Sequence, residues 1–298
     1  MKTRCSVRSW KHPPPKKSER ILRWNGYGLA SAVRNKPPFH ISHHTFERID
    51  YYEALHQCNR NRKRRAAIDV AARLNQTIAE KGSARLLLST GASQFAFFEY
   101  LITLDVDWQH VDMFHLDEYI GLPETHPASF RKYLKERFSS RIPLRSTHFV
   151  EADQDIPTLL NTLHNEIRRA PIDVGVVGIG ENGHIAFNDP PADFLSTDPY
   201  LIVNLNDTCK RQQVGEGWFA SVEEVPAQAI SMSVHQIMMC RSIVSVVPKA
   251  VKANAVFKTF NTPVCADVPA TMLKMHPDWT LYLDTASAAD LDRAALAE

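Results

Sequence analysis

Between Gly178 and Pro190 the chain reads Gly-Ile-Gly-Glu-Asn-Gly-His-Ile-Ala-Phe-Asn-Asp-Pro. A histidine, His184, stands five residues before a carboxylate, Asp189, with Asn182 and Asn188 beside them. An imidazole gives or takes a proton near neutral pH. A second acidic place is the pair Asp117-Glu118. Neighbours in a strand point to opposite faces, so only one of the two need meet a substrate; the alternative is a pair of loop acids, one of them capping a helix. A third place is Thr90-Gly91-Ala92-Ser93, where hydroxyls and backbone N–H groups collect between an apolar strand and a helix. That arrangement suits a phosphate, although many α/β turns share its composition and bind nothing. Lys249, at the start of a helix that follows a strand, adds a positive charge. Taken together, these groups suit a cofactor-free acid/base site acting on a phosphorylated small molecule.

Other chemistries are excluded by pattern. Gly178-x-Gly180-x-x-Gly183 lacks the following helix that a dinucleotide fingerprint requires, because Pro190-Pro191 stops one. There is no Walker sequence. His184 and Asp189 without a further spaced histidine do not make a metal set.

These groups need a scaffold that brings strand ends together. Ile172 to Val177 is short, β-branched and nearly unbroken, which predicts a strand buried on both faces of a parallel sheet. Three glycines then make a tight turn at its carboxyl end. Further strands are expected at 85–89, 111–116, 147–150, 200–205, 229–233, 242–247 and 280–283. Helices are expected at 66–81 (stopped by Gly82), 94–104, 127–138, 157–169 and 248–260, with a short one between 233 and 242 and another at the C-terminus. The segment 206–219 is polar and receives no element. Strands alternating with helices predict an α/β fold: a single doubly wound, mostly parallel sheet with helices on both faces, Rossmann-like in outline. Such sheets bind their ligands at the carboxyl ends of the strands.

The 298 residues allow one large domain. Residues 1–45 hold ten Lys/Arg against Glu19 alone, and are rich in proline; the rest of the chain holds 25 basic and 32 acidic residues. We therefore expect a disordered basic extension over 1–45 and an acidic catalytic domain over 46–298. The extension reads as a passive appendage, a nucleic-acid arm or a targeting peptide, and nucleic acid is not the expected partner. The basic run Arg60 to Arg65 reads as the solvated first turn of the helix that follows. No apolar run is long enough to span a membrane. Five scattered cysteines (5, 58, 209, 240, 265) read as reduced thiols in a cytoplasmic protein.

Two longer stretches carry a resemblance. Phe114-His115-Leu116-Asp117-Glu118-Tyr119-x-Gly121-Leu122-Pro123, followed by His126-Pro127-x-Ser129, is similar to the glucosamine-6-phosphate deaminase/isomerase family, and so is Gly178 to Pro190. The likeness spans about residues 46–285. The related 6-phosphogluconolactonases share the sheet and an Asp-Glu pair, but their glycine loop usually reads Gly-His-Thr-Ala-Ser. The resemblance implies ring opening of an amino-sugar phosphate, a proton shift between C2 and C1, and release of ammonia. By motif position it implies His184 for ring opening with Asp189 behind it, and Asp117 as the carboxylate base. It implies Thr90, Gly91, Ala92, Ser93 and Lys249, in a Val-Pro-Lys-Ala context, for the phosphate, and no cofactor or metal.

There are departures. Asn182 stands where some members have Asp, and can only hydrogen-bond and orient. Asp189 replaces a commoner Glu. Gly217 precedes Trp218-Phe219 where some members have a phosphate-binding Arg, so Arg211 or Lys210 is expected to substitute. Two alternatives stay open: a 6-phosphogluconolactonase-type hydrolase or an isomerase on another sugar phosphate, and a non-enzymatic sugar-phosphate sensor with a basic tail. Homo-oligomerisation is left open. The presence of both Asp117 and His184 argues against a pure sensor, which needs binding groups but no base.

Overall fold

The computed structural model describes residues 61–153 and 155–291. All of them fall in one unit of the chain, Arg48–Glu298. The expected extension over 1–45, the first residue of the run at 60–65 and the end of the expected C-terminal helix lie outside the described residues.

Six strands form the parallel sheet: β1 (Ala84–Leu88), β2 (Val111–His115), β4 (Ser146–His148), β5 (Val174–Val176), β8 (Ser242–Val247) and β9 (Trp279–Leu283). Their order is β4-β2-β1-β5-β8-β9. The chain lays down β1, β2 and β4 towards one edge, then returns to the other side of β1 for β5, β8 and β9. The topological switch point therefore lies between β1 and β5, where α/β sheets open a crevice for ligands.

Both faces of this sheet are covered. Leu86, Leu88, Met113, Val174, Val176, Val244 and Val246 pack under α1 (Asn61–Lys81) and α2 (Phe95–Leu101). Leu87, Phe114 and Ile243 face the opposite way, against α4 (Ile156–Arg168), α6 (Val234–Met238) and α7 (Ala253–Asn261). Consecutive leucines of β1 thus serve two cores, which is why its sequence is apolar without alternation. Each such side chain, fully buried, contributes roughly 1.5–3 kcal/mol.

The structure departs from a single sheet. Asp117–Tyr119 is a separate short strand, β3, and it joins β6 (Tyr200–Asn204) and β7 (Gln228–Met232) in a three-stranded antiparallel sheet of order β3-β7-β6. The strands expected at 200–205 and 229–233 exist, but in this second sheet. Its small core holds Tyr119, Phe130, Phe187, Cys209 and Phe219. The segment expected to lack an element contains helix α5 (Asp207–Gly215), whose N-cap Asn206 accepts a hydrogen bond from the Cys209 amide. Beyond β9, residues 285–290 form turns where the sequence predicts a helix.

Candidate active site

The cleft lies at the switch point. Its walls are the turns that follow β1 (Ser89 to Ser93), β2 (Leu116, Asp117), β5 (Gly178 to Glu181) and β8 (Lys249 to Lys252), together with one side of α5. Most of the groups named from sequence converge here.

Asp117 and Glu118 separate as strand geometry dictates. Asp117 lines the cleft and is 5% exposed. Its carboxyl takes no hydrogen bond from the described residues, and burial, aided by the nearby Glu118 charge, holds it well above the usual carboxylate range. Glu118 points the other way and is fully buried. It accepts from the amides of Tyr119 (3.0 Å), Phe130 (3.2 Å) and Arg131 (2.8 Å), and from the Ser129 hydroxyl (3.0 Å). Three of those donors sit at the start of α3 (Phe130–Arg137), so Glu118 anchors a helix N-terminus. One carboxylate is spent on the fold and its neighbour is left open.

The loop after β5 wraps around His184. A Cβ on Gly180 would lie 2.2 Å from the His184 ring, so only glycine lets the imidazole pack against the backbone there. Gly183 turns the chain at φ +87. Behind the ring, Asp189 Oδ1 lies 3.2 Å from His184 Nδ1. Asn182 Nδ2 donates to the same Oδ1 (3.1 Å), while Asn182 Oδ1 accepts the His184 amide (3.0 Å). Asn182 therefore clamps both partners, as an orienting amide can. Burial acts to raise Asp189, but contacts from His184 and Asn182 outweigh it and keep the carboxyl below the usual range. Asn188 serves the fold: its amide donates to the carbonyls of Ile185 and Met232, both at 2.8 Å.

The turn after β1 is held from two sides. Tyr133 Oη donates to the Gly91 carbonyl (3.0 Å), and Gln94 Nε2 to the Val246 carbonyl (3.0 Å). The amides of Thr90, Gly91, Ala92 and Ser93 take no partner among the described residues, and Ser89 Oγ is buried without one.

The cations are placed differently from the sequence expectation. Arg211 is exposed and is not part of the cleft wall. Helical spacing on α5 brings Gln212, Gln213 and Glu216 to the cleft and turns residue 211 away. Lys249 lines the cleft but is exposed. Lys252, missed in the sequence, lines the cleft and is buried. Burial lowers its ammonium; the charges of Glu216 and Glu181 oppose that, and Lys249 adds to it. The available signal was its spacing from Lys249, one helical turn on. Glu181, Gln212, Glu216 and Trp218 were also missed: Trp218 Nε1 donates to Glu216 Oε2 (3.1 Å), and Gln212 Nε2 to Glu216 Oε1 (2.9 Å).

An α/β fold with acid/base groups and open amides at its switch point is thus defined by geometry. Residues 59–282 match the family of glucosamine-6-phosphate isomerases and 6-phosphogluconolactonases, and the chain belongs to that family. A glucosamine-6-phosphate deaminase of Staphylococcus epidermidis is 35% identical over 247 residues, which cover 78% of this chain and 98% of the relative. A solved monomeric glucosamine-6-phosphate deaminase superposes with a TM-score of 0.70 at 29% identity, covering 78% of this chain and 97% of that one. A putative 6-phosphogluconolactonase of Neisseria gonorrhoeae shares the fold, with a TM-score of 0.61 at 18% identity, covering 76% and 96%.

Proposed function

We propose that this chain converts glucosamine 6-phosphate and water to fructose 6-phosphate and ammonia by acid/base catalysis. The observation that carries the reading is Asp117: a buried carboxyl with no hydrogen-bond partner among the described residues, facing a cleft that His184 also lines. Burial makes Asp117 a stronger base than an exposed carboxylate, as a proton shift next to a carbonyl requires. Relatives of this chain are named glucosamine-6-phosphate deaminase, which agrees with the reading.

His184 delivers a proton to the ring oxygen and opens the sugar. Asp189 and Asn182 fix the ring's orientation from behind. Asp117 takes the C2 proton and returns it to C1 while a proton passes from the amino nitrogen to the C1 oxygen, leaving an imine at C2. Water adds to that carbon and ammonia leaves, giving the ketone. The amides of Thr90 to Ser93 and the ammonium of Lys252 hold the phosphate, with Lys249 at the rim. Every group in this scheme comes from one chain, so the reading requires no partner subunit. A cytoplasmic location belongs to the same proposal. Among the described residues no helix is long and apolar enough to cross a membrane.

The test is product analysis. Purified protein given glucosamine 6-phosphate should release ammonia and fructose 6-phosphate in equal amounts. Absence of both at high protein concentration would refute the proposal.

A further inference from the structure

Lys249 occupies a backbone position suited to glycine. Its φ of 84° and ψ of 146° lie in a region that side-chain-bearing residues avoid, because the Cβ collides with the neighbouring peptide. Ala186, the other non-glycine residue at positive φ among those described, sits at a smaller φ of 52°. A strained conformation persists only where its surroundings impose it.

What imposes it here is Asp284, just past β9. Asp284 Oδ2 accepts the Lys249 amide at 3.0 Å. Asp284 Oδ1 accepts the Ser287 amide at 2.8 Å, and the Ser287 hydroxyl accepts the Asp284 amide at 3.0 Å, so the carboxylate is fixed in its own turn. The basic start of α1 braces this corner. Arg62 is buried and donates to the Leu283 carbonyl, and the Lys63 charge acts on Asp284. The run that reads as solvated in the sequence is therefore partly structural.

The residue held this way lines the cleft with Lys252. The acids lining the cleft are Asp117, Glu181 and Glu216, and both lysines line it along with the open amides of Thr90 to Ser93. Glycine would make the turn without strain and would forfeit one of those charges.

We propose that Asp284 is a positioning residue that clamps Lys249 in a glycine-type backbone so that its ammonium meets the substrate phosphate, at the expense of fold stability. The proposal rests on the phosphate reading above. It is tested with K249G, K249M, D284A and the K249G/D284A double variant, each measured for thermal midpoint and for kcat and KM on glucosamine 6-phosphate. K249G should melt about 2–6 °C higher, since the strain is gone, while its KM rises at least about tenfold and kcat changes by less than about threefold. K249M keeps the Cβ, so it should match the KM rise without the thermal gain. D284A should raise KM about fivefold when Lys249 is present and add nothing in the K249G background, a coupling that a merely structural role would not produce. A K249G KM within twofold of the parent, a midpoint that does not rise, or an equal D284A effect in both backgrounds would overturn the inference. Should the parent chain not turn over glucosamine 6-phosphate, the function reading fails separately. The thermal shift given by inorganic phosphate then decides: a smaller shift in K249G supports the clamp, and an equal one overturns it.

Discussion

The two ends of the parallel sheet handle charge in opposite ways. At the amino end, the charges of Asp173, Asp112, Arg145 and Arg85 are matched. Asp173 accepts from Lys81 Nζ (2.5 Å) and from the Arg85 amide (2.9 Å), with Arg241 Nε at 3.3 Å. Arg145 Nε donates to Asp112 at 2.7 Å, and Ser146 Oγ to the same carboxylate at 2.7 Å. The Arg85 guanidinium lies 4.4 Å from the centre of the Phe114 ring and donates to the carbonyls of Ile167 and Glu166. At the carboxyl end, the Asp117 carboxyl, the Lys252 ammonium, Ser89 Oγ and four backbone amides have no such partners among the described residues. Burying a charge without a partner costs stability. Among the described residues that cost falls where the strands' carboxyl ends meet, which is what a site waiting for a polar ligand looks like.

The contrast can be broken from either end. The largest effect is expected from D117N, which should lower kcat/KM on glucosamine 6-phosphate by about 10³-fold or more. The same change should stabilise the fold. Asp117 has a folded pKa raised above its unfolded value, chiefly by burial, so its stabilising contribution is full below the unfolded pKa and is lost as pH rises through the folded one. The melting temperature of D117N should therefore exceed the parent's at neutral pH, and the gap should narrow in acid; a lower midpoint at neutral pH would contradict this. For the parent, kcat/KM should rise with pH through a carboxylate pKa above the ordinary range, and pH–rate profiles will show whether it does.

Next in size is K252M, with an expected KM rise of about 30–100-fold and a smaller change in kcat, read from steady-state kinetics. Gly180→Ala should follow. Its Cβ would collide with the His184 ring, so kcat should fall about tenfold or more with KM affected less. The smallest effect on catalysis belongs to the amino end. D173N should cost about 2–4 kcal/mol of stability in denaturant titrations, because it leaves buried donors poorly matched, yet alter kcat/KM by less than twofold. A large kinetic effect of D173N would erase the distinction between the two ends.

The glycine loop, the Asp-Glu pair and the buried strand before the loop were legible because each is local: an apolar run, then residues with special backbone or acid/base character. The second sheet was not. Tyr200–Asn204 is nearly continuous in apolar residues, although Ile202 is exposed, so its composition looks like a buried parallel strand. Helix α5 was hidden for a related reason. Gln212, Gln213 and Glu216 turn polar groups towards the cleft, which removes the apolar stripe by which a helix is read. Lys252 was passed over because Lys249 lies in the more conspicuous Val-Pro-Lys-Ala setting, and burial and backbone conformation, which distinguish the two, belong to the fold. Alternation did foretell that Asp117 and Glu118 would point to opposite sides; that Glu118 holds the start of α3 is visible only in the packing.

Deaminating isomerisation and lactone hydrolysis are the two chemistries to be told apart on this fold. Equal amounts of the protein given glucosamine 6-phosphate and 6-phosphogluconolactone in parallel would separate them. Ammonia release should exceed enzyme-dependent lactone hydrolysis by at least about 100-fold in kcat/KM, a difference of about 2.7 kcal/mol in transition-state binding. Lactone hydrolysis without ammonia release would contradict it.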